Sequence, residues 1–325
     1  MAVLNASAVD SQVADAAPRP RGWLRNALRS AKVRAGLGIV VFFILLGIIG
    51  PAFVGNPSAT GPHAFAPPGG QHLLGTTDTG QDVLAQLVDG TGVSLIVGFV
   101  SALISTVIAV AIGLSSAFFG GLWDEVLSTI TNAFLVIPAL PLVIVLAGYL
   151  HGAGTLAVAV VIAVTSWPWT ARILRAQTLS LRRRDYIRAA RVVGESANRI
   201  IWFEIVPNEI PLIAAQFLIT VIYAILIQAG LAFLGVGSVT TWSWGTMLYW
   251  AQNASALASG AWWWFVPPGL CLALLGTGLA LMNFGVDEVA NPRLSVAAVK
   301  PPRRSRTRRP AAVPAAGPAP GTRAS

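Results

Sequence analysis

Charged side chains are scarce in this sequence. Only 11% of its 325 residues are Asp, Glu, Lys or Arg, while 55% are hydrophobic. A typical soluble domain carries about 25% charged residues, so these few charges could not cover a water-exposed surface of this size. We therefore predict that lipid covers much of the molecule. The single cysteine, Cys271, lies in an apolar run, and one cysteine excludes a disulfide framework.

Catalytic and nucleotide-binding motifs are also missing. The sequence has no G-x-x-x-x-G-K-[ST] loop, and its two lysines, Lys32 and Lys300, do not follow a glycine loop. It has no H-E-x-x-H, C-x-x-C or G-x-S-x-G pattern. A zinc site built from His63, His72 and Asp78 is conceivable, but an irregular Pro/Gly-rich stretch separates the two histidines. We therefore expect no metal, no cofactor and no catalytic residue in this chain.

Basic residues are absent from two long stretches, 35–171 and 200–292. The 22 Lys and Arg residues form three clusters in the rest of the chain. Six mostly apolar segments are long enough to cross a bilayer, namely 36–54, 93–119, 126–150, 154–171, 210–236 and 266–286. Six crossings place all three basic clusters on one side, which the positive-inside rule makes cytoplasmic. Adding or removing one crossing would place a cluster outside.

These crossings predict an all-α, polytopic membrane bundle of about six transmembrane helices with cytoplasmic termini. The predicted parts are a cytoplasmic tail at 1–35 with a basic amphipathic helix, a first span with its external loop at 36–92, a five-helix core at 93–286, and a disordered basic tail at 287–325. The core includes a long cytoplasmic loop, 172–209. No predicted span has an acid or a base near its centre, and secondary transporters usually use such groups as ion relays. We therefore expect energy to come from another protein.

Prolines and tryptophans each leave two interpretations open. Pro138 and Pro141 interrupt the third span and Pro168 the fourth, either as packing kinks or as bends beside a substrate path. The external segment 237–265 is rich in tryptophan, which we expect to form mainly an interfacial belt, with a grip on substrate as the alternative. Its tryptophans are Trp242, Trp244, Trp250, Trp262, Trp263 and Trp264.

The loop 172–209 combines eight arginines with an apolar stripe. The stripe consists of Tyr186, Ile187, Ala189, Ala190, Val192 and Val193. Gly194 then ends the predicted helix, and a second helical piece runs from Ile200 toward Pro207. A helix, a glycine break and a second helix predict a protruding elbow that docks into another protein. A basic helix held only by lipid headgroups is the alternative.

The loop sequence YIRAARVVG at 186–194, followed by IVPN at 205–208, resembles the EAA loop of ABC-importer permeases. Over about residues 22–296 the chain resembles the C-type permease subunit of dipeptide, oligopeptide and nickel importers. The further similar segments are LGTTDTGQDVL at 74–84, FGG at 119–121 with DE at 124–125, LAFLGVG at 231–237, SWGTML at 243–248 and NPRL at 291–294. Arg188 departs from the usual Glu, Glu204 from the frequent His, and Gln81 from the usual Arg.

The resemblance implies a multi-pass permease of the bacterial inner membrane that forms half of a path for peptides or similar small solutes. Its implied partners are a second homologous permease, two cytoplasmic ABC ATPases that bind ATP and Mg, an extracytoplasmic substrate-binding lipoprotein and membrane lipids, but no nucleic acid. The implied ATPase-coupling residues are Tyr186, Arg188, Ala189, Ala190, Arg191, Gly194, Glu195 and Pro207. The implied external motif is Gly75, Thr76, Asp78, Gly80 and Asp82.

Two other classes fit the sequence less well. A stand-alone secondary carrier or channel would need internal repeats and discontinuous helices, and no clear repeat relates the two halves. A membrane-embedded enzyme would need a catalytic constellation at membrane depth, and none is visible. The sequence does not name the solute, because specificity in such importers lies largely with the binding protein.

Overall fold

The computed structural model describes residues 28–149 and 154–290, with side chains up to residue 286. The predicted N-terminal tail therefore lies outside the described residues up to residue 27, as does the C-terminal tail from residue 291. Within the described ranges the helices are α1 (Ala31–Ile49), α2 (Val83–Phe119), α3 (Gly121–Val136), α4 (Ala139–Tyr149), α5 (Gly154–Leu181), α6 (Asp185–Val192), α7 (Ala197–Arg199), α8 (Val206–Phe233), α9 (Trp244–Asn253) and α10 (Trp262–Ala290). A π-helical turn, Ile200–Ile205, joins α7 to α8. This part of the chain contains no strand, which confirms the all-α class.

Five helical segments are long and apolar enough to cross a membrane, and a sixth is present if one bent pair is counted. The bent pair is α3 and α4, whose axes differ by 90°. Ile137 lies between them in an extended conformation, the state favoured for a residue that precedes proline. The predicted third span is therefore two helices rather than one, and the break falls at Pro138. Pro168, in contrast, lies inside the unbroken helix α5.

Several helices are longer than the predicted spans. Helix α2 begins at Val83, ten residues before the predicted start, because the Asp82 side chain caps it by accepting from the Ala85 amide at 3.0 Å. Its 37 residues correspond to about 55 Å, well beyond a hydrocarbon core of about 30 Å. Helix α5 runs on to Leu181, so the first ten residues of the predicted loop 172–209 continue a spanning helix.

The helices pack around α2, which lies along α5 and α8, while α10 lies along α1 and α8. Small residues permit a close approach between α1 and α10. A Cβ atom added at Gly36 would lie 2.3 Å from the Gly278 carbonyl oxygen, so only glycine fits there. One apolar core joins α1, α2, α8, α9 and α10, and a second joins α2, α5, α6 and the π-helical turn.

The expectation of an interfacial tryptophan belt is wrong for three of the external tryptophans. Trp244, Trp263 and Trp264 are buried in the protein core, at 0%, 9% and 1% exposure. Trp244 packs edge-to-face on Phe43 with ring centroids 5.4 Å apart. The Trp244 indole also donates to the Leu87 carbonyl of α2 at 3.3 Å. The irregular external segment covers the other two, since Phe65 packs on Trp264 and the Trp263 indole donates to the Thr76 carbonyl at 3.2 Å. Among these six residues, Trp250 and Trp262 are the exposed ones.

Candidate functional site

Helix α6 forms an elbow between α5 and the π-helical turn, and its apolar residues face two ways. Ile187 is fully buried in the second core cluster, and Ala190 packs against the same cluster. Val192 and Val193 are 88% and 82% exposed. The predicted single apolar stripe is therefore divided between an anchoring face and an exposed face. Arg188 and Ala189 are exposed as well.

Gly194 ends the elbow helix in a Schellman motif. Its amide bonds to the Arg191 carbonyl at 3.1 Å, and the next amide, of Glu195, bonds to the Ala190 carbonyl at 3.1 Å. The φ of Gly194 is +86°, a left-handed conformation that side chains oppose. An added Cβ would meet nothing within 4 Å, so the requirement for glycine is conformational rather than steric. The predicted glycine break is present in the structure.

Polar contacts fix the elbow to the bundle. The Arg191 guanidinium lies over the Phe118 ring at the end of α2, 4.7 Å from its centroid. Arg182 donates to the Ala117 carbonyl at 2.9 Å. Partial burial raises the pKa of Tyr186, whose hydroxyl lies 3.5 Å from the Asn208 amide nitrogen.

The other two predicted coupling residues follow the elbow. Glu195 pairs with Arg199 at 2.9 Å, and Pro207 lies in the first turn of α8. Because Pro207 has no amide hydrogen, it cannot bond to the carbonyl of the preceding turn, which is consistent with the wide π-helical turn before it. The structure thus brings all eight predicted coupling residues to one elbow and its exit.

Two polar contacts between the helices next to the elbow were not predicted from the sequence. Arg175 of α5 makes a bidentate pair with Asp124 of α3, with both N–O distances 2.7 Å, and Ser116 and Ser128 also donate to that carboxylate. Fully buried Glu209 of α8 accepts from the Thr178 hydroxyl of α5 at 2.7 Å. The links tie α3, α5 and α8 together. The sequence feature that could have indicated these contacts is the position of two acids, Asp124 and Glu209, beside long apolar runs.

The external motif shapes a tight loop over the other end of α2. Gly75 and Gly80 have φ values of +72° and +73°, and a Cβ at Gly75 would lie 2.6 Å from the Ala66 carbonyl oxygen. Buried Thr76 accepts from the Ala66 amide at 2.8 Å and donates to the His63 carbonyl at 2.6 Å. The Thr76 hydroxyl therefore closes the loop onto its own backbone.

The acids of the external motif differ in their surroundings. Asp82 caps α2 and also lies 2.7 Å from the His72 imidazole. Asp78 is exposed and makes no hydrogen bond within the described part of the chain. The conceivable zinc ligands are not brought together, and the described residues contain no group of three or more potential metal ligands.

A cavity of about 490 Å³ lies between the bend of α3 and α4 and the helices α5 and α8. Pro138 and Pro168 both line it, which places two of the three predicted proline bends beside the same space. From α8 it is lined by Gln216, Thr220 and Tyr223. Sequence reasoning missed these residues, although their spacing of four and three places polar groups on one face of an apolar helix.

Taken together, a bundle of spanning helices, an exposed elbow and an open cavity between helices are typical of the membrane subunit of a transporter driven by another protein. A family model described as "Binding-protein-dependent transport system inner membrane component" matches residues 109–295. The chain belongs to this family. It is thus a permease subunit of an ABC importer and not an enzyme, since ATP is hydrolysed by separate subunits in such systems.

Curated relatives match over most of the chain. A putative peptide transport system permease protein of Brucella suis biovar 1 (strain 1330) is 34% identical over 277 residues, 84% of this chain and 91% of the relative. The dipeptide transport system permease protein DppC of Bacillus subtilis (strain 168) is 31% identical and covers 86% of this chain and 89% of its own length. The oligopeptide transport system permease protein OppC of Mycobacterium tuberculosis (strain ATCC 25618 / H37Rv) is 36% identical over 70% of this chain and 77% of that protein.

A solved structure has the same fold. One chain of the MetNI methionine ABC transporter, in an inward-facing conformation, aligns with a TM-score of 0.52 and 21% identity, covering 64% of this chain and 95% of that one. At this identity the likeness concerns the fold alone.

Proposed function

We propose that this chain forms half of the translocation path of an importer for peptides or similar small solutes. Its partners are a second, homologous permease, two cytoplasmic ATPases that bind ATP and Mg, and an extracytoplasmic substrate-binding lipoprotein. The names of relatives at 31–36% identity support the substrate class. The arginine clusters support cytoplasmic termini and a cytoplasmic elbow.

The exposed face of the elbow carries this proposal. Val192 and Val193 present apolar surface within the most arginine-rich loop of the described chain, where water rather than lipid is the expected surrounding. Exposed apolar patches rimmed by polar residues commonly mark protein–protein contacts. The opposite face of α6 is anchored through Ile187. One face of the elbow is therefore exposed and the opposite face is anchored in the bundle, as expected for a helix that docks into a groove on an ATPase.

The packing also explains how motion could pass from the ATPases to the path. Ile187 belongs to one apolar cluster with residues of α2, α5 and the π-helical turn, and Arg191 contacts Phe118 of α2. When ATP closes the ATPase dimer, the elbow moves as a rigid body and carries these helices with it. The path then alternates between inward-open and outward-open states, whose balance is set by ATP and solute binding.

The test is to place charge on the exposed face. In the complete importer, V192D/V193D should leave the protein inserted but abolish co-purification of the ATPases and solute uptake, because the carboxylates would be desolvated in an apolar groove. The control, V192I/V193I, keeps the surface apolar and should retain both. Normal ATPase binding and uptake in V192D/V193D would contradict the coupling role and favour a helix that lies on lipid headgroups.

A further inference from the structure

Three arginine side chains converge on the turn between α2 and α3. They come from α5, from the connection between α5 and α6, and from the elbow helix itself, and they are Arg175, Arg182 and Arg191. The guanidinium of Arg182 donates to the Ala117 carbonyl at 2.9 Å, and a Cβ added at Gly120 would lie 3.0 Å from its Nη1 atom. The elbow and α5 therefore contact the same turn.

This turn contains two consecutive glycines in left-handed conformations. Gly120 has φ of +69° and Gly121 has φ of +57°. A Cβ added at Gly121 would meet nothing within 4 Å, so that side of the turn is open. Glycine has more backbone freedom than any other residue. Two adjacent glycines are therefore a poor connection for transmitting a movement from α2 to α3.

The Asp124 carboxylate bridges the glycine turn. Ser116 of α2 donates to it from one side of the glycines, and Ser128 of α3 donates to it from the other, the latter at 3.1 Å. Arg175 adds a bidentate pair from α5, with both N–O distances 2.7 Å. A bidentate guanidinium fixes a carboxylate in direction as well as in distance. One side chain of α3 is thus tied to α2 and α5 together.

Helix α3 is otherwise buried only slightly within this chain. Of its 16 residues, all of which the structure describes, only Thr131 is buried. Near its far end the Phe134 ring lies 5.5 Å from the Trp167 ring of α5. The Asp124 side chain is 20% exposed and lies in the first turn, so it holds the end of α3 that follows the glycines.

We propose that Asp124 is a positioning residue for coupling, because its contacts make α3, and with it the bent pair of α3 and α4, follow the elbow. Arg191 and Arg182 join the elbow to the end of α2. Arg175 and Asp124 carry the connection across the glycine turn. The inference rests on the proposed coupling of the elbow to ATPases. It adds a polar connection to the apolar cluster that moves with the elbow.

The first test measures coupling in the complete importer, reconstituted in lipid vesicles. D124N keeps the shape of the side chain but removes its charge, which weakens the pair with Arg175. The ATPases should co-purify and hydrolyse ATP, while uptake of the dipeptide Ala-Phe per ATP hydrolysed should fall about tenfold, the scale of losing a charged hydrogen bond.

Glu125 provides the matched control. It is the next residue, it is exposed, and its side chain makes no hydrogen bond or ion pair within the described chain. E125Q removes the same charge and should keep the uptake per ATP of the unmodified complex. Equal ratios in D124N and E125Q would overturn the inference.

A double-mutant cycle separates coupling from general damage to the fold. D124A and R175A should each lower uptake per ATP, and D124A/R175A should lower it no further than the more severe single variant, because both residues act through one contact. Thermal unfolding of the same complexes is measured alongside. Losses that add in the double variant, or that only follow the unfolding temperature, would show a merely structural role and overturn the proposal.

A distance measurement tests the tie without transport. In a C271S background, spin labels at T129C of α3 and Q177C of α5, both exposed positions, report where α3 lies against α5. Asp124 should give one narrow distance distribution with and without ATP, and D124N should broaden it. A narrow distribution in D124N, or an ATP-dependent distance with Asp124 present, would overturn the tie.

The outcomes also separate this inference from the proposed function. Failure of the unmodified complex to bind ATPases or to import any peptide would contradict the proposed function. The nucleotide-free distances would still decide whether Asp124 holds α3, because they require neither ATP hydrolysis nor uptake.

Discussion

At the scale of single residues, the arginines of the elbow are not equivalent. Arg188 is exposed and its side chain makes no hydrogen bond or ion pair within the described chain, whereas Arg191 lies on the Phe118 ring. We expect R191A to destabilise the elbow by about 0.5–1 kcal/mol, the usual size of an exposed cation–π contact, and to reduce uptake. Thermal unfolding and uptake would be measured for both variants, with R188A as the control. Equal effects would show that the ring contact has no special role.

The two acids of the external motif provide a second comparison. Asp82 caps α2 and contacts His72, so D82A should lower stability by about 1 kcal/mol, the usual effect of losing a helix cap. Asp78 is exposed and makes no hydrogen bond within the described chain, so D78A should leave the unfolding temperature unchanged. If Asp78 touches the binding protein, D78A should still reduce uptake. Unchanged uptake in D78A would identify Asp78 as an ordinary solvated loop acid.

At the scale of elements, the glycine at the end of α6 is the most demanding position of the elbow. Gly194 has φ of +86° and open space around its Cα atom, so strain alone opposes a side chain. G194V should therefore break the Schellman motif and release the ATPases, at a cost of about 1–2 kcal/mol for a left-handed non-glycine residue. G194N should retain more binding, because asparagine tolerates this conformation. Equal ATPase co-purification with both variants would contradict this account.

The same elements show what the sequence could and could not predict. Local rules were sufficient for the glycine break at Gly194 and for the interruption at Pro138, since each depends on the backbone of one residue. The 90° angle between α3 and α4 and the burial of Trp244 and Trp264 depend on distant packing partners. The link from Glu209 to Thr178 joins residues 31 positions apart. No periodicity within one helix reports such a contact.

The candidate cavity could be predicted from the sequence only in part. The prolines that line it were visible as possible bends beside a path, but the pattern could not tell a bend from a packing kink. The polar face of α8 was present in the sequence as Gln216, Thr220 and Tyr223, yet hydropathy averages hide three polar groups in a strongly apolar helix. Only the folded arrangement shows that this face meets Trp169 across an open space.

At the scale of the whole molecule, the two candidate surfaces lie at opposite ends of the same long helix. The Asp82 cap begins α2 beside the external loop, and Phe118, which contacts Arg191, lies at its other end. The 37 residues of α2 span about 55 Å, which exceeds a bilayer core of about 30 Å. One helix can therefore reach a binding protein on one side and the ATPase elbow on the other.

This arrangement predicts that the external segment and the elbow lie on opposite sides of the membrane. Thr60 is exposed in the external segment, and Val193 is 82% exposed on the elbow. In a C271S background, T60C should react with a membrane-impermeant thiol reagent in intact spheroplasts, while V193C should react only after permeabilisation. The separation follows from the basic clusters, because translocating the arginines of the elbow loop would oppose the positive-inside rule. Labelling of V193C in intact spheroplasts would exclude a cytoplasmic elbow, and with it any docking of ATPases at this surface.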